Sequence, residues 1–324
     1  MKIKMMFFLL MPALLLSSCM GEQKVKTLRL AHSLDTKHPV HEAMVILGES
    51  LSKKSGGKLK VEIYPFGQLG GERESLELLQ IGSLDIAKVS AGVLENFIPE
   101  YKVFSIPYLF RDKQHTLDIY DGPVGKSILS QGEKFNLQGL TFYDAGSRSF
   151  YTKTEPINNA ADLKDMKIRV MKSNMAISMV DKLGAAPTPI SFGELYTALQ
   201  QGVVDGAENN IPSYYTSKHF EVCKFLSIDE HTSVPDVLVI GTGTLDRLNE
   251  QEKKWLYEAV EESKYAQRIL WDKSEKESLE LAQESGVKVN YPDKKSFQQA
   301  TKALLNTFND DPKMKALVQS ILEN

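Results

Sequence analysis

Apolar and polar positions along the chain switch between a period of two and a period near 3.6, so strands alternate with helices. Leu28-Arg29-Leu30-Ala31 predicts a first strand. Pro39 suits a first helical turn, and Val40, Ala43, Leu47 and Leu51 recur at helical spacing until Gly56-Gly57 stops the helix. Leu59, Val61 and Ile63 then alternate with Lys60 and Glu62 in a second strand ending at Pro65. A glycine-rich turn, Gly67-Gln68-Leu69-Gly70-Gly71-Glu72, leads to a helix from Glu72 to Ile81 and a strand from Asp85 to Val89. Another strand is expected at Leu140 to Tyr143, before Asp144-Ala145-Gly146-Ser147-Arg148. This order belongs to the α/β class.

The pattern is densest from Lys167 to Asn210. Ile168-Arg169-Val170 alternates, so as a strand it buries Ile168 and Val170 on one face and turns Arg169 to the other. A helix from about Ser173 to Leu183 follows, then a break at Pro187-Thr188-Pro189. Ser191-Phe192-Gly193-Glu194 has capping-box spacing and should start a helix running to Gln200. Val203-Val204 reads as a short buried strand, left through Asp205 to Asn210. From Asn249 to Gly286 there is no proline or internal glycine, and apolar marks recur at Trp255, Ala259, Tyr265, Leu270 and Leu279. That stretch is expected as one helix of about 55 Å, or as two broken near Trp271. A last strand, Val287 to Asn290, and two short helices close the chain.

At 324 residues there is room for two lobes, each with its own core. A net charge of −3 from 39 basic and 42 acidic residues offers no basic face for phosphate backbones, so nucleic-acid binding has no compositional support. Lys2 and Lys4, an apolar run from Met5 to Leu16 and Leu16-Ser17-Ser18-Cys19 have the form of a bacterial lipoprotein export signal. Cys19 would then be the lipidated first residue, held in the membrane by at least two acyl chains. Cys223 is then the only cysteine left in the mature chain, which excludes an intramolecular disulfide and a cysteine zinc site.

Several tempting motifs fail on spacing. His32, His38, His41 and Glu42 cluster without the one-turn histidine spacing of a zinc helix, so no metal is expected. The Gly67–Gly71 turn lacks a Gly-Lys-Ser or Gly-Lys-Thr, and Glu72 would repel a phosphate. Val237 to Gly243 runs as a strand into Gly-x-Gly, but the third glycine position is Asp246, and the dinucleotide fingerprint fails. No cofactor is implied. Arg169, fixed at a strand end, reads either as a two-pronged carboxylate grip or as half of a structural ion pair.

A resemblance separates those two readings. Lys167-Ile168-Arg169-Val170, Leu183-Gly184-Ala185-Ala186-Pro187-Thr188-Pro189, Glu194 to Gln200 and Val204-Asp205-Gly206-Ala207-Glu208-Asn209 occur in that order. They resemble the substrate-binding proteins of tripartite ATP-independent periplasmic (TRAP) transporters, of the dicarboxylate-binding type, and the likeness continues over nearly all of the chain after Lys24. It implies a two-lobe periplasmic binding protein fold, with a mixed sheet in each lobe and a long helix spanning both. The implied division is a signal at 1–18, a lipidated tether at 19–26, mainly lobe I at 27–148, mainly lobe II at 149–240, and the long helix with C-terminal segments at 241–324.

In the resemblance Arg169 matches the carboxylate-clamping arginine, Arg148 a second cleft arginine, Asn209 a carboxylate-contacting asparagine and Phe192 an aromatic that packs on the ligand. Ser33, Gly71 and Ser90 occupy positions where sialic-acid binders carry polar or acidic contacts; Gly71 and Ser90 lack those side chains, and Glu72 is the neighbouring substitute. Asp144, Glu208, Asn210 and Glu230 add acceptors that suit hydroxyls and repel a second carboxylate. The expected ligand is therefore a hydroxylated monocarboxylate such as a hexuronate, captured by hinge closure and passed to the membrane permease subunits of a TRAP transporter. A four-carbon dicarboxylate receptor and a sugar-acid-processing enzyme are the competing readings.

Overall fold

The computed structural model describes residues 25–324; Cys19 and the export signal lie outside them. Among the described residues, eleven strands form two sheets. They are β1 (Lys26–Ala31), β2 (Leu59–Tyr64), β3 (Ile86–Ser90), β4 (Leu137–Tyr143), β5 (Arg148–Thr152), β6 (Lys167–Val170), β7 (Ala186–Pro189), β8 (Gly206–Asn209), β9 (Phe225–Thr232), β10 (Asp236–Gly241) and β11 (Lys288–Asn290). The first sheet runs β2-β1-β3-β10-β4 and the second β11-β9-β5-β8-β6-β7. Both are mixed: β1 pairs parallel with β2 and β3, while β10 inserts antiparallel between β3 and β4. In the second sheet β6 is parallel to β7 and β8, and β5 is antiparallel to β8 and β9. This is the two-lobe fold of periplasmic binding proteins.

The chain crosses between the sheets at 144–147, from β4 to β5, and returns at 233–235, from β9 to β10. Thus β10 belongs to the first lobe although it follows the whole middle of the chain. One helix, Glu250–Glu284, lies along both lobes and is unbroken at Trp271. Its Asn249 cap and Glu252 satisfy each other's backbone amides in a capping box. Leu256, Ala259, Val260 and Trp271 pack into a core with β1, β4 and the helix Pro39–Lys54, while Ala282 packs under the second sheet. At the crossing, the Gln267 amide accepts from the Asp144 amide N–H (2.9 Å) and donates to its carbonyl (2.7 Å). Gly146 has φ 57°, and a Cβ there would meet Glu275 Oε1 at 2.7 Å. Only glycine turns the chain here without strain.

Three local expectations change. Ala186–Pro189 is not a break but the edge strand β7, where proline's missing N–H faces away from the ladder. Val203 and Val204 precede the strand rather than form it: Val203 is exposed, and β8 is Gly206–Asn209. Ser191 makes no side-chain cap; a short 3-10 turn, Phe192–Glu194, leads into the helix Leu195–Gln200. The helix Asn174–Lys182, in contrast, starts where expected, with Ser173 Oγ accepting from the Ala176 amide at 3.0 Å.

Candidate functional site

Where the lobes face each other, Glu72, Lys88, Ser90 and Asp236 of the first meet Arg148, Arg169, Met171, Phe192, Asn209 and Asn210 of the second around a cavity of ≈ 50 Å³. That is room for a few water molecules. The lobes are shut. Met171 Sδ lies 3.5 Å from Ser90 Oγ, His38 Nε2 is 3.1 Å from Ser213 Oγ, and Asn96 Nδ2 donates to the Lys172 carbonyl, all across the cleft. Phe192 reaches from the second lobe onto the first lobe's core.

β6 does what its alternation predicts: Ile168 and Val170 join the core and Arg169 takes the other face. Arg169 is 2% exposed, and its Nε donates to the Ile190 carbonyl at 2.9 Å. Its two terminal nitrogens have no acceptor among the described residues, and no carboxylate pairs with it. Burial lowers its pKa from the ordinary arginine value, against the opposing influence of Tyr151 and Glu208. An arginine nonetheless keeps its proton at neutral pH. A fixed charge with four unused N–H groups is therefore held against the cavity.

Arg148 is as deeply buried but is satisfied. Its Nε donates to Glu208 Oε2 (2.5 Å), Nη2 to Glu208 Oε1 (3.0 Å) and to the Glu208 carbonyl (2.9 Å), and Nη1 to Asn209 Oδ1 (2.6 Å). Glu208 also lies 3.4 Å from His231 Nε2, whose Nδ1 meets Asp229 Oδ2 at 2.9 Å. Burial works against the Glu208 charge, but Arg148 and His231 overcome it and hold the carboxyl down at about 2. Burial likewise opposes the His231 charge, yet Asp229 and Glu208 push it up to about 9. The imidazole is protonated at neutral pH, and Arg148–Glu208–His231–Asp229 is a closed ionic chain. Asn209 accepts with Oδ1 from Arg148 and from the Asn210 amide (2.9 Å), leaving its NH₂ without a partner among the described residues.

The remaining expected residues divide. Glu72 and Ser90 line the cavity, Ser90 also capping the short helix Ala91–Leu94. Glu208 is consumed by Arg148. Ser33 sits half-buried beside the Gly67 turn, outside the cavity lining. Asp144 and Glu230 line a different, larger cavity of ≈ 770 Å³ against the long helix, where Lys113 approaches Asp144 at 3.3 Å and Lys294 pairs with Glu230. Sequence reasoning missed Lys88 and Asp236. Each is a charged residue set in an apolar strand, a signal that a buried partner is needed.

Residues 30–311 match the family of bacterial extracellular solute-binding proteins, family 7 (DctP). The chain belongs to that family. Its members of this kind are TRAP-transporter solute-binding proteins, receptors rather than enzymes. An uncharacterised protein of Salmonella typhimurium, YiiZ, is 40% identical over 300 residues, 91% of this chain and 90% of its own. A TRAP periplasmic solute-binding protein from a Bradyrhizobium species, solved with α/β-D-galacturonate, superposes with a TM-score of 0.90 at 40% identity, covering 92% of this chain and 100% of that one. One from Anaerococcus prevotii, solved with α/β-D-glucuronate, has a TM-score of 0.90 at 35% identity, covering 92% and 97%.

Proposed function

We propose that this family member captures a hexuronate, D-galacturonate or D-glucuronate, by closing its lobes on it, and delivers it to the membrane permease of a TRAP transporter. The observation that carries the reading is Arg169, buried and charged, its terminal N–H groups at the cavity without a partner among the described residues. Two parallel hydrogen bonds from a guanidinium fit a carboxylate. The Asn209 NH₂ adds a donor to the same group, and Phe192 covers the apolar face of the ring. The uronates held by the Bradyrhizobium and Anaerococcus proteins support the ligand class.

Shut around ≈ 50 Å³, the cleft must part to admit a six-carbon acid. The crossings at 144–147 and 233–235, with the long helix alongside, are where a hinge motion would bend. Micromolar affinity corresponds to about 8 kcal/mol, and a hydrogen bond to a charged group nets about 1.5–3 kcal/mol. The arginine grip alone falls short, so enclosure of the whole ligand contributes the rest.

The protein binds without turnover; ligand recovered from the complex keeps its mass. The export reading of Lys2 to Cys19 adds a periplasmic location and a lipid anchor, checked by the mass of the mature N-terminal peptide. Calorimetric titration of the purified receptor with D-galacturonate, D-glucuronate and succinate tests the function. Saturable, micromolar or tighter binding of a hexuronate is expected, and selective succinate binding would contradict it.

A further inference from the structure

The far pole of the same cavity is built by the first lobe alone. Lys88 in β3 is 2% exposed, and its ammonium donates to Glu72 Oε1 at 3.1 Å and to Asp236 Oδ1 at 3.0 Å. Register sets Lys88 opposite Leu238, so Asp236, two residues earlier in β10, shares its face. Glu72 arrives from the first position of the helix Glu72–Gln80. All three residues line the cavity that Arg169 lines from the other lobe.

One carboxylate would neutralise a buried lysine; here there are two, so with both ionised the trio carries a net −1 at the cavity. Burial and the neighbouring Glu72 raise the Asp236 pKa while Lys88 opposes them, and the Lys88 pKa is raised by the two acids against the pull of burial. An ammonium has three N–H donors, and two are used. The third donor has no protein partner among the described residues.

We infer that Glu72, Lys88 and Asp236 form a diol reader that sets specificity: vicinal hydroxyls donate to the two carboxylates and accept from the ammonium, while a second carboxylate is turned away. This rests on the hexuronate reading and narrows it to acids with a single carboxylate and a neutral, hydroxyl-bearing far end. Aldarates, whose chains end in carboxylates on both sides, are excluded by the surplus negative charge. Hydroxyls fit because each both donates and accepts. Desolvated like charges, in contrast, repel strongly.

The experiment compares D-galacturonate with galactarate on the wild type and on Glu72→Gln/Asp236→Asn, which turns the pole from −1 to +1. Wild type should prefer galacturonate by a hundredfold or more. The double variant should move that ratio toward galactarate by at least tenfold. If it does not fold, Asp236→Asn alone keeps the Lys88–Glu72 pair and should move the ratio severalfold. Among mono-deoxy galacturonates, at least one should lose tenfold on the wild type and less on the variant. An unmoved ratio in a folded variant, or no loss with any deoxy analogue, overturns the diol reader while leaving hexuronate binding in place. A wild type that binds succinate and no sugar acid overturns the proposed function itself.

Discussion

Arg148 and Arg169 stand in β5 and β6, with only β8 between them, and both side chains are nearly inaccessible. The first spends four of its five N–H groups on Glu208 and Asn209; the second spends one, on a carbonyl. The same residue type at similar burial thus serves two ends. A paired buried charge fixes structure. An unpaired one is tolerated only if something else completes it, because leaving it unsatisfied has a cost that a bound anion removes. On the proposed function, the incomplete arginine is the one a ligand carboxylate completes, while the complete one stays tied to Glu208 and Asn209.

Substitution should pull the two roles apart. Arg148→Ala leaves the buried Glu208 with His231 as its one remaining charged partner among the described residues, and chemical denaturation should show a loss of about 3–5 kcal/mol of stability. Arg169→Ala should instead weaken hexuronate binding by about 2–5 kcal/mol, on the order of thirtyfold to several thousandfold, with a much smaller change in the unliganded midpoint. Equal destabilisation by both would erase the distinction.

The pH dependence sharpens it further. His231 titrates at about 9 in the folded chain against an ordinary 6.5, so its contribution is complete below about pH 6.5 and is lost as pH rises through 9. Thermal midpoints should fall over that interval in wild type, and the fall should be reduced in His231→Gln. Glu208, held at about 2, behaves in the opposite sense: its contribution is complete above its ordinary 4.5 and fails only as pH drops toward 2. Smaller still, Asn209→Ala should cost roughly 1 kcal/mol in binding, about fivefold, by removing one amide donor. Gly146→Ala, at the crossing, should lower stability by about 1–2 kcal/mol through its positive φ and the close Glu275 oxygen, without touching ligand chemistry.

Sequence periodicity made most of the framework legible. The helix Pro39–Lys54, β1, β2 and the long helix announce themselves because local spacing and caps suffice to define them. Where it failed, long-range pairing decided the outcome. β8 is Gly-Ala-Glu-Asn, with no apolar alternation to betray it; Tyr151, Phe150 and Arg169 on its neighbours make it a strand. Arg169 was legible through motif resemblance, whereas its unpaired state was not. Lys88 and Asp236 stand 148 positions apart, and neither alone tells what the other completes. Asp144 reads in the sequence as a hydroxyl acceptor, yet it lines the larger cavity against the long helix, where its Oδ1 accepts from the Gly146 amide.

A crystal structure of the complex with D-galacturonate tests the central claim most directly. The sugar's carboxylate should lie on the two terminal nitrogens of Arg169, with the Arg148–Glu208 pair intact and the lobes slightly parted relative to the present closure. A carboxylate seated on Arg148 with Glu208 displaced, or Arg169 turned to a protein acid, would contradict the account.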